Sequence, residues 1–169
     1  CLKCFREYAA EVYEAADASI IQRFDDIHLV GQIRNAIESD RLMLVAQPIM
    51  PIREGTGHPY CEVLVRILDD EDRHISPADF LSAAERYQLA PAIDRWVLRR
   101  VLQTLAPHAA ELDRRGACFA VNISGQSLGD AEFCAFLEDA LRDSGLPPSL
   151  LSFELTETAI MADPETAMT

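Results

Sequence analysis

Charged side chains occur within an apolar run at residues 61–66, Cys-Glu-Val-Leu-Val-Arg. The apolar and β-branched residues of this run predict a strand, and the side-chain period of two places Glu62 and Arg66 on one face. Two later apolar runs also end in polar residues, with Asn122 in Val-Asn-Ile-Ser and Glu154 in Phe-Glu-Leu-Thr-Glu. Hard oxygen donors at the ends of successive strands suggest a site for one divalent cation.

The composition limits the classes of protein to which this chain can belong. It has 169 residues, of which 49% are hydrophobic and 25% charged, as is typical of a globular domain. Its apolar runs are far shorter than the roughly 20 residues of a membrane-spanning helix, and no signal-peptide pattern is present. We therefore expect a cytoplasmic location and no membrane contact.

The net charge of −13, from 28 acidic and 15 basic residues, repels phosphate backbones and argues against DNA or RNA as a partner. A smaller phosphate-bearing ligand remains compatible with this charge if a metal ion or an arginine offsets it locally.

The five cysteines predict reduced, buried thiols rather than disulfides, because the number is odd and three of them lie in apolar strand or helix patterns. These three are Cys61, Cys118 and Cys134. The Cys1 and Cys4 pair has no second pair at a spacing suited to zinc. The four histidines are scattered and suggest no metal or nucleophile site.

The order of predicted elements indicates an α/β fold. Residues 1–40 read as helix with apolar stripes at three- and four-residue spacing, which is typical of a helical linker. Strands are then predicted at residues 42–52, 60–68, 118–123 and 150–155, the first two forming an antiparallel hairpin, and helices separate the others. This alternation favours a mostly parallel sheet.

Local signals mark where the helices begin and end. Ser76, which precedes a proline, and Asp130 are predicted N-caps, and Gly145 is a predicted helix end. A helix starting at Pro91 has an apolar stripe that includes Trp96, so we expect Trp96 in the core. Four strands would leave a sheet edge uncovered, so we expect the chain to be the first half of a larger domain.

Several motifs in order resemble the EAL-type phosphodiesterases, which hydrolyse the bacterial second messenger cyclic di-GMP (c-di-GMP). The resemblance runs from about Arg41 to Asp163 and comprises Gln47-Pro48-Ile49, Glu62-Val63-Leu64 with Arg66, Ile75-Ser76-Pro77, Trp96-Val97-Leu98, Val121-Asn122-Ile123-Ser124 and Glu154-Leu155-Thr156-Glu157. Residues 17–21 resemble the connector that follows a GGDEF-type module in such proteins.

The resemblance implies a fold and a domain arrangement. The family fold is a modified TIM (β/α)8 barrel whose first strand is antiparallel to the rest, and only its first half would be present here. Residues 1–40 would be the helical linker from an upstream GGDEF-type module, and residues 41–169 the N-terminal portion of an EAL domain. The domain would form a homodimer.

The resemblance also implies roles for individual residues. The metal, Mg²⁺ or Mn²⁺, would be held by Glu62, Asn122 and Glu154. The catalytic residues would be Glu62 and Glu157, the latter by steadying a loop that couples ligand binding, dimerisation and metal affinity. The c-di-GMP ligand would be contacted by Gln47, Leu64 and Arg66.

The residues by themselves leave simpler roles open. Glu62 and Arg66 could form an ion pair along one strand face, and Asn122 could satisfy a loop backbone. Glu154 could belong to a structural polar network, and Glu157 could be an ordinary acid in the first turn of a helix.

Two departures from the family pattern bear on function. Val63 stands where the family motif has alanine, and strand parity directs its side chain away from Glu62. The family's paired aspartates, lysine and later glutamate would lie beyond Thr169. We therefore expect a c-di-GMP phosphodiesterase as the complete domain, with an inactive domain that acts as a c-di-GMP receptor as the alternative.

Overall fold

The computed structural model describes residues 26–52, 58–69, 71 and 73–155. Residues 26–38 are helical and are called α1. The strands that follow are β1 Leu42–Ile49, β2 Tyr60–Leu68, β3 His74–Ile75, β4 Cys118–Ile123 and β5 Leu151–Leu155. The other helices are α2 Pro77–Arg86, α3 Ala90–Leu105, α4 Ala109–Arg114, α5 Gly125–Leu128 and α6 Ala131–Ser144, with single 3₁₀ turns at Ala106–His108 and Pro148–Leu150.

The strands form one sheet in the order β1-β2-β4-β5, with the short β3 paired to β2 outside this path. Strand β1 is antiparallel to β2, whereas β2, β4 and β5 run parallel. The predicted hairpin and the antiparallel first strand are therefore confirmed. Strand β3 was not expected, because two residues are too few to show a strand period.

The core lies between one face of the sheet and the helices. Val63, Ile67 and Val121 point into it from the sheet and are at most 8% exposed. Phe80 from α2 and Leu98 from α3 are fully buried against them. Because side chains alternate along a strand, the opposite face of the sheet is free to carry Glu62 and other polar groups, as predicted.

Trp96 lies at the edge of the core and not inside it, which corrects the expectation. Its ring is half-buried against core residues, while its Nε1 donates a hydrogen bond to Asp40 Oδ1 at 2.9 Å. The hydrogen bond from Arg100 is the main cause of the lowered pKa of the Asp40 carboxyl, and the hydrogen bond from Trp96 is the second. Asp40 lies just after helix α1 and has a left-handed φ of 56°. Because Trp96 and Arg100 belong to α3, their contacts with Asp40 fix the end of α1 against α3.

The cap predictions hold for helix α6. Asp130 accepts a hydrogen bond from the backbone N–H of Glu132 at 2.9 Å, and Gly145 ends the helix with a φ of 63°. Ser76 occupies the N-cap position of α2, but its side chain makes no capping hydrogen bond.

Three cysteines are free thiols, as predicted, but they are half-buried and not fully buried: Cys61, Cys118 and Cys134. Within the described part of the chain, none of the helices has the length and apolar character that crossing a lipid bilayer would require.

Candidate active site

The polar face of the sheet brings together two of the residues singled out from the sequence. Glu62 lies on β2 and Asn122 on the neighbouring β4, and the Nδ2 of Asn122 donates a hydrogen bond to Glu62 Oε1 at 2.9 Å. Since the amide nitrogen is the donor, the carbonyl oxygen Oδ1 of Asn122 is left for another partner, such as a cation. Glu62 and Asn122 therefore form one polar unit.

Glu154 lies on the same face, on strand β5. It is directly opposite Asn122 in the parallel register, so the two side chains leave adjacent strands at the same level. One Glu154 oxygen, Oε1, accepts a hydrogen bond from the Tyr60 hydroxyl at 3.0 Å. A hydrogen bond with Ser152 lowers the pKa of Tyr60, but the bond to Glu154 and partial burial outweigh it, so the net pKa of Tyr60 is raised.

The residues predicted to contact a ligand lie around this unit. Gln47 on β1 is exposed and pairs directly with Glu62 in the antiparallel register. Leu64 and Arg66 follow Glu62 at steps of two along β2, so they share its face of the strand. Together with Asn122 they also border a cavity of about 310 Å³ between the sheet and helices α2 and α3, but Glu62, Gln47 and Glu154 do not line it.

Arg66 is not paired with Glu62, which removes the ion pair that the sequence left open. Its Nη1 donates to the backbone carbonyl oxygen of Val65 at 2.8 Å. The described ion pairs do not include one between Arg66 and Glu62. Its positive charge is thus not neutralised by Glu62.

The polar face offers a small set of donors for a metal ion. Within the residues that the structure describes, no cluster of three or more His, Cys, Asp and Glu side chains is placed to hold a metal ion. The set available is two carboxylates and one amide oxygen, from Glu62, Glu154 and Asn122, and hard donors of this kind suit Mg²⁺ or Mn²⁺. These three oxygen donors are of the type that such a cation binds, but they are too few to complete its coordination. Glu157 lies outside the described residues.

Comparison with known proteins identifies the family. The chain matches the EAL domain family over residues 30–168. This chain belongs to the EAL domain family.

Curated relatives of this EAL domain include two c-di-GMP phosphodiesterases. It is 30% identical over 147 residues to the cyclic di-GMP phosphodiesterase PdeB of Shewanella oneidensis, covering 87% of this chain and 17% of that protein. It is 32% identical over 152 residues to the cyclic di-GMP phosphodiesterase PdeF of Escherichia coli, covering 89% of this chain and 20% of that protein. The chain therefore spans about a fifth of the length of each relative.

Solved EAL structures show the same fold. The FimX EAL domain from Pseudomonas aeruginosa bound to c-di-GMP has a TM-score of 0.71 and 32% identity, covering 82% of this chain and 54% of that chain. The PaMucR phosphodiesterase in complex with c-di-GMP has a TM-score of 0.72 and 28% identity, covering 83% and 56%. The predicted EAL-type α/β fold is confirmed, and this chain corresponds to about half of those structures.

Sequence reasoning missed Asp94, which supports the end of the strand that carries Asn122 in this EAL domain. Asp94 is only 9% exposed, and its Oδ2 accepts hydrogen bonds from Ser124 N at 2.9 Å and Ser127 Oγ at 2.7 Å. Burial raises the pKa of the Asp94 carboxyl, and the hydrogen bonds from the two serines offset this only in part. The sequence signal that could have identified Asp94 is its position as an acidic residue on the apolar stripe of α3.

The raised pKa gives a prediction about stability and pH. A raised folded-state pKa means that Asp94 contributes stability while it is protonated, and that this contribution is lost as the pH rises through the raised value. Asp94→Asn keeps an acceptor oxygen for both serines and removes the buried charge. We therefore expect it to be more stable than the unchanged EAL domain at neutral pH, by a margin that shrinks as the pH falls toward 4.

Asp94→Ala is the matched variant, because it leaves both serine donors without their acceptor and should cost about 2–3 kcal/mol. Urea unfolding of the complete domain between pH 4 and pH 7 measures both effects. A pH-independent difference between Asp94→Asn and the unchanged protein would contradict the expected titration.

Proposed function

We propose that this chain is part of an enzyme that hydrolyses c-di-GMP to linear pGpG with Mg²⁺ or Mn²⁺. The observation that carries the proposal is the Glu62 and Asn122 unit, with Glu154 at the adjoining strand end, in a member of the EAL family. The relatives named as c-di-GMP phosphodiesterases support the choice of substrate and reaction.

In the proposed reaction, a water oxygen bonds to one phosphorus of c-di-GMP and the P–O3′ bond breaks. The 3′ oxygen leaves with a proton, and the 5′ phosphate remains on the linear product. A bound divalent cation would neutralise phosphate charge and activate the water. Asn122 holds Glu62 in a fixed orientation through its 2.9 Å hydrogen bond, so the two are positioned before a ligand arrives.

The ligand contacts in this proposal come from strands β1 and β2. Arg66 supplies positive charge to a phosphate in a chain whose net charge of −13 otherwise repels it. Leu64 supplies apolar surface to a base, and Gln47 a hydrogen bond. Glu157 would steady a loop that couples ligand binding to dimerisation and metal affinity.

The valine at position 63 leaves the proposed metal site unchanged. It is 8% exposed and belongs to the core on the helix side of the sheet, whereas Glu62 faces Asn122 on the other side. The methyl groups that distinguish valine from alanine therefore press on the helices and leave the Glu62 side of the strand unchanged.

The proposed enzyme would be one part of a larger signalling protein. The domain would act as a cytoplasmic homodimer, with residues 1–40 linking it to an upstream GGDEF-type module. Light scattering of the complete protein tests the dimer.

The proposal is tested with the complete domain and purified c-di-GMP. We expect chromatography to show conversion to linear pGpG with Mg²⁺ or Mn²⁺, loss of conversion when a chelator removes the metal, and recovery when either ion is added in excess. If the metal-loaded domain binds c-di-GMP without hydrolysing it, the proposal of an enzyme is refuted and the receptor alternative is supported.

A further inference from the structure

We propose that Tyr60 positions the Glu154 carboxylate for cation binding, an inference that rests on the proposed function. The Tyr60 hydroxyl donates to Glu154 Oε1 at 3.0 Å, although 94 positions separate the two residues in the chain. Oε1 is thereby held by a neutral donor, while Oε2 is left as the oxygen that can bind a cation. Neither a role in the metal site nor a contact with a ligand had been expected of Tyr60.

The sheet register shows that this contact spans a strand. Tyr60 is on β2 and pairs with Cys118 on β4, and Glu154 is on β5 at the far side of β4. Adjacent strands are about 4.8 Å apart, so the contact crosses roughly 10 Å of sheet, and Glu154 also lies four register positions further along the strands than Tyr60. Both long side chains must extend over β4 to meet.

The small residue at the crossing point is consistent with such a bridge. Ala120 on β4 lies between Glu62 and Ser152 in the register, and its side chain is on the polar face. It is fully buried, yet it is not part of the core cluster on the helix side. A larger side chain at this position would occupy the space that the bridge needs.

A hydrogen bond of this kind orients a ligand residue without binding the metal itself. Carboxylates that bind metals are commonly fixed by such outer partners, and removing one typically lowers metal affinity or activity by about 10- to 100-fold. A tyrosine suits this position because its hydroxyl reaches far from the backbone and carries no charge that would compete with the cation.

Tyr60→Phe in the complete domain tests the proposal, because it removes the hydroxyl and keeps the ring. We expect the Kd for Mn²⁺, measured by electron paramagnetic resonance without substrate, to rise about tenfold. Hydrolysis should then need more Mn²⁺ and approach the unchanged rate at saturating metal. Tyr87→Phe is the matched control, since that hydroxyl donates to Asp26 Oδ2 at 3.3 Å outside the site, and its Kd for Mn²⁺ should not change.

A double variant separates positioning of Glu154 from a general effect on the fold. Glu154→Ala should weaken Mn²⁺ binding by itself, and adding Tyr60→Phe to it should weaken binding no further, because no side-chain oxygen is then left at position 154 for Tyr60 to hold. Equal Mn²⁺ affinity of Tyr60→Phe and the unchanged domain would overturn the proposal, as would additive effects in the double variant. If the unchanged domain binds Mn²⁺ without cleaving c-di-GMP, the proposed function fails, whereas the Mn²⁺ measurements still decide the role of Tyr60.

Discussion

Glu62→Gln in the complete domain is expected to lower the rate of c-di-GMP hydrolysis by about 1000-fold or more, which corresponds to about 4 kcal/mol of transition-state stabilisation. The reason is the loss of a negative charge from the proposed metal site. Glutamine retains an oxygen that can accept the hydrogen bond from Asn122 Nδ2, so the fold and the Asn122 orientation should be kept.

The measurement is kcat at saturating c-di-GMP and metal, with circular dichroism as the check on folding. Glu138→Gln is the matched control, because Glu138 is an exposed residue of helix α6 and the same chemical change there should leave the rate unaltered. If Glu62→Gln keeps a rate within tenfold of the unchanged domain, Glu62 is not a catalytic metal ligand and the proposed site is wrong.

Asn122→Ala is expected to lower kcat/KM by about 100-fold and to shift the Mn²⁺ concentration needed for half-maximal activity upward by a similar factor. The substitution removes the amide oxygen proposed as a ligand and also the donor that holds Glu62 Oε1. Both losses act at the metal, so titrating Mn²⁺ at fixed substrate is the informative measurement.

Asn35→Ala on helix α1 is the control for the same substitution at an exposed asparagine. Asn122→Asp adds a second test, because it restores an oxygen at the position of the amide and should recover part of the Mn²⁺ affinity lost in Asn122→Ala. A drop in activity with an unchanged Mn²⁺ dependence would mean that Asn122 acts on the substrate and does not bind the metal.

The strands could be predicted because their signals are local. The period of two in residues 61–66 separated Glu62 from Val63 correctly, since alternation follows from the backbone geometry of any strand. The same applies to the caps of helix α6, where Asp130 and Gly145 act on neighbouring backbone groups. Strand β3 was missed because its two residues are ordered by pairing with β2 and not by their own pattern.

The position of Trp96 shows where local patterns fail. A helical apolar stripe indicates which side of α3 faces the core, but it does not show that Asp40 lies near enough to bond the indole nitrogen. The indole keeps this polar partner at the edge of the core, and full burial would have left its N–H without one.

The sequence by itself determined the family, the order of the four longer strands along the chain and the opposite faces of Glu62 and Val63, because these depend on residue types and on the fixed period of the backbone. The polar contacts of the site were decided only by the tertiary structure. Asn122 bonds Glu62 across 60 residues, Tyr60 bonds Glu154 across 94, and Asp94 bonds Ser127 across 33. Such contacts depend on strand register and on which helix covers the sheet, and no local pattern encodes these, because they follow from how the whole sheet packs.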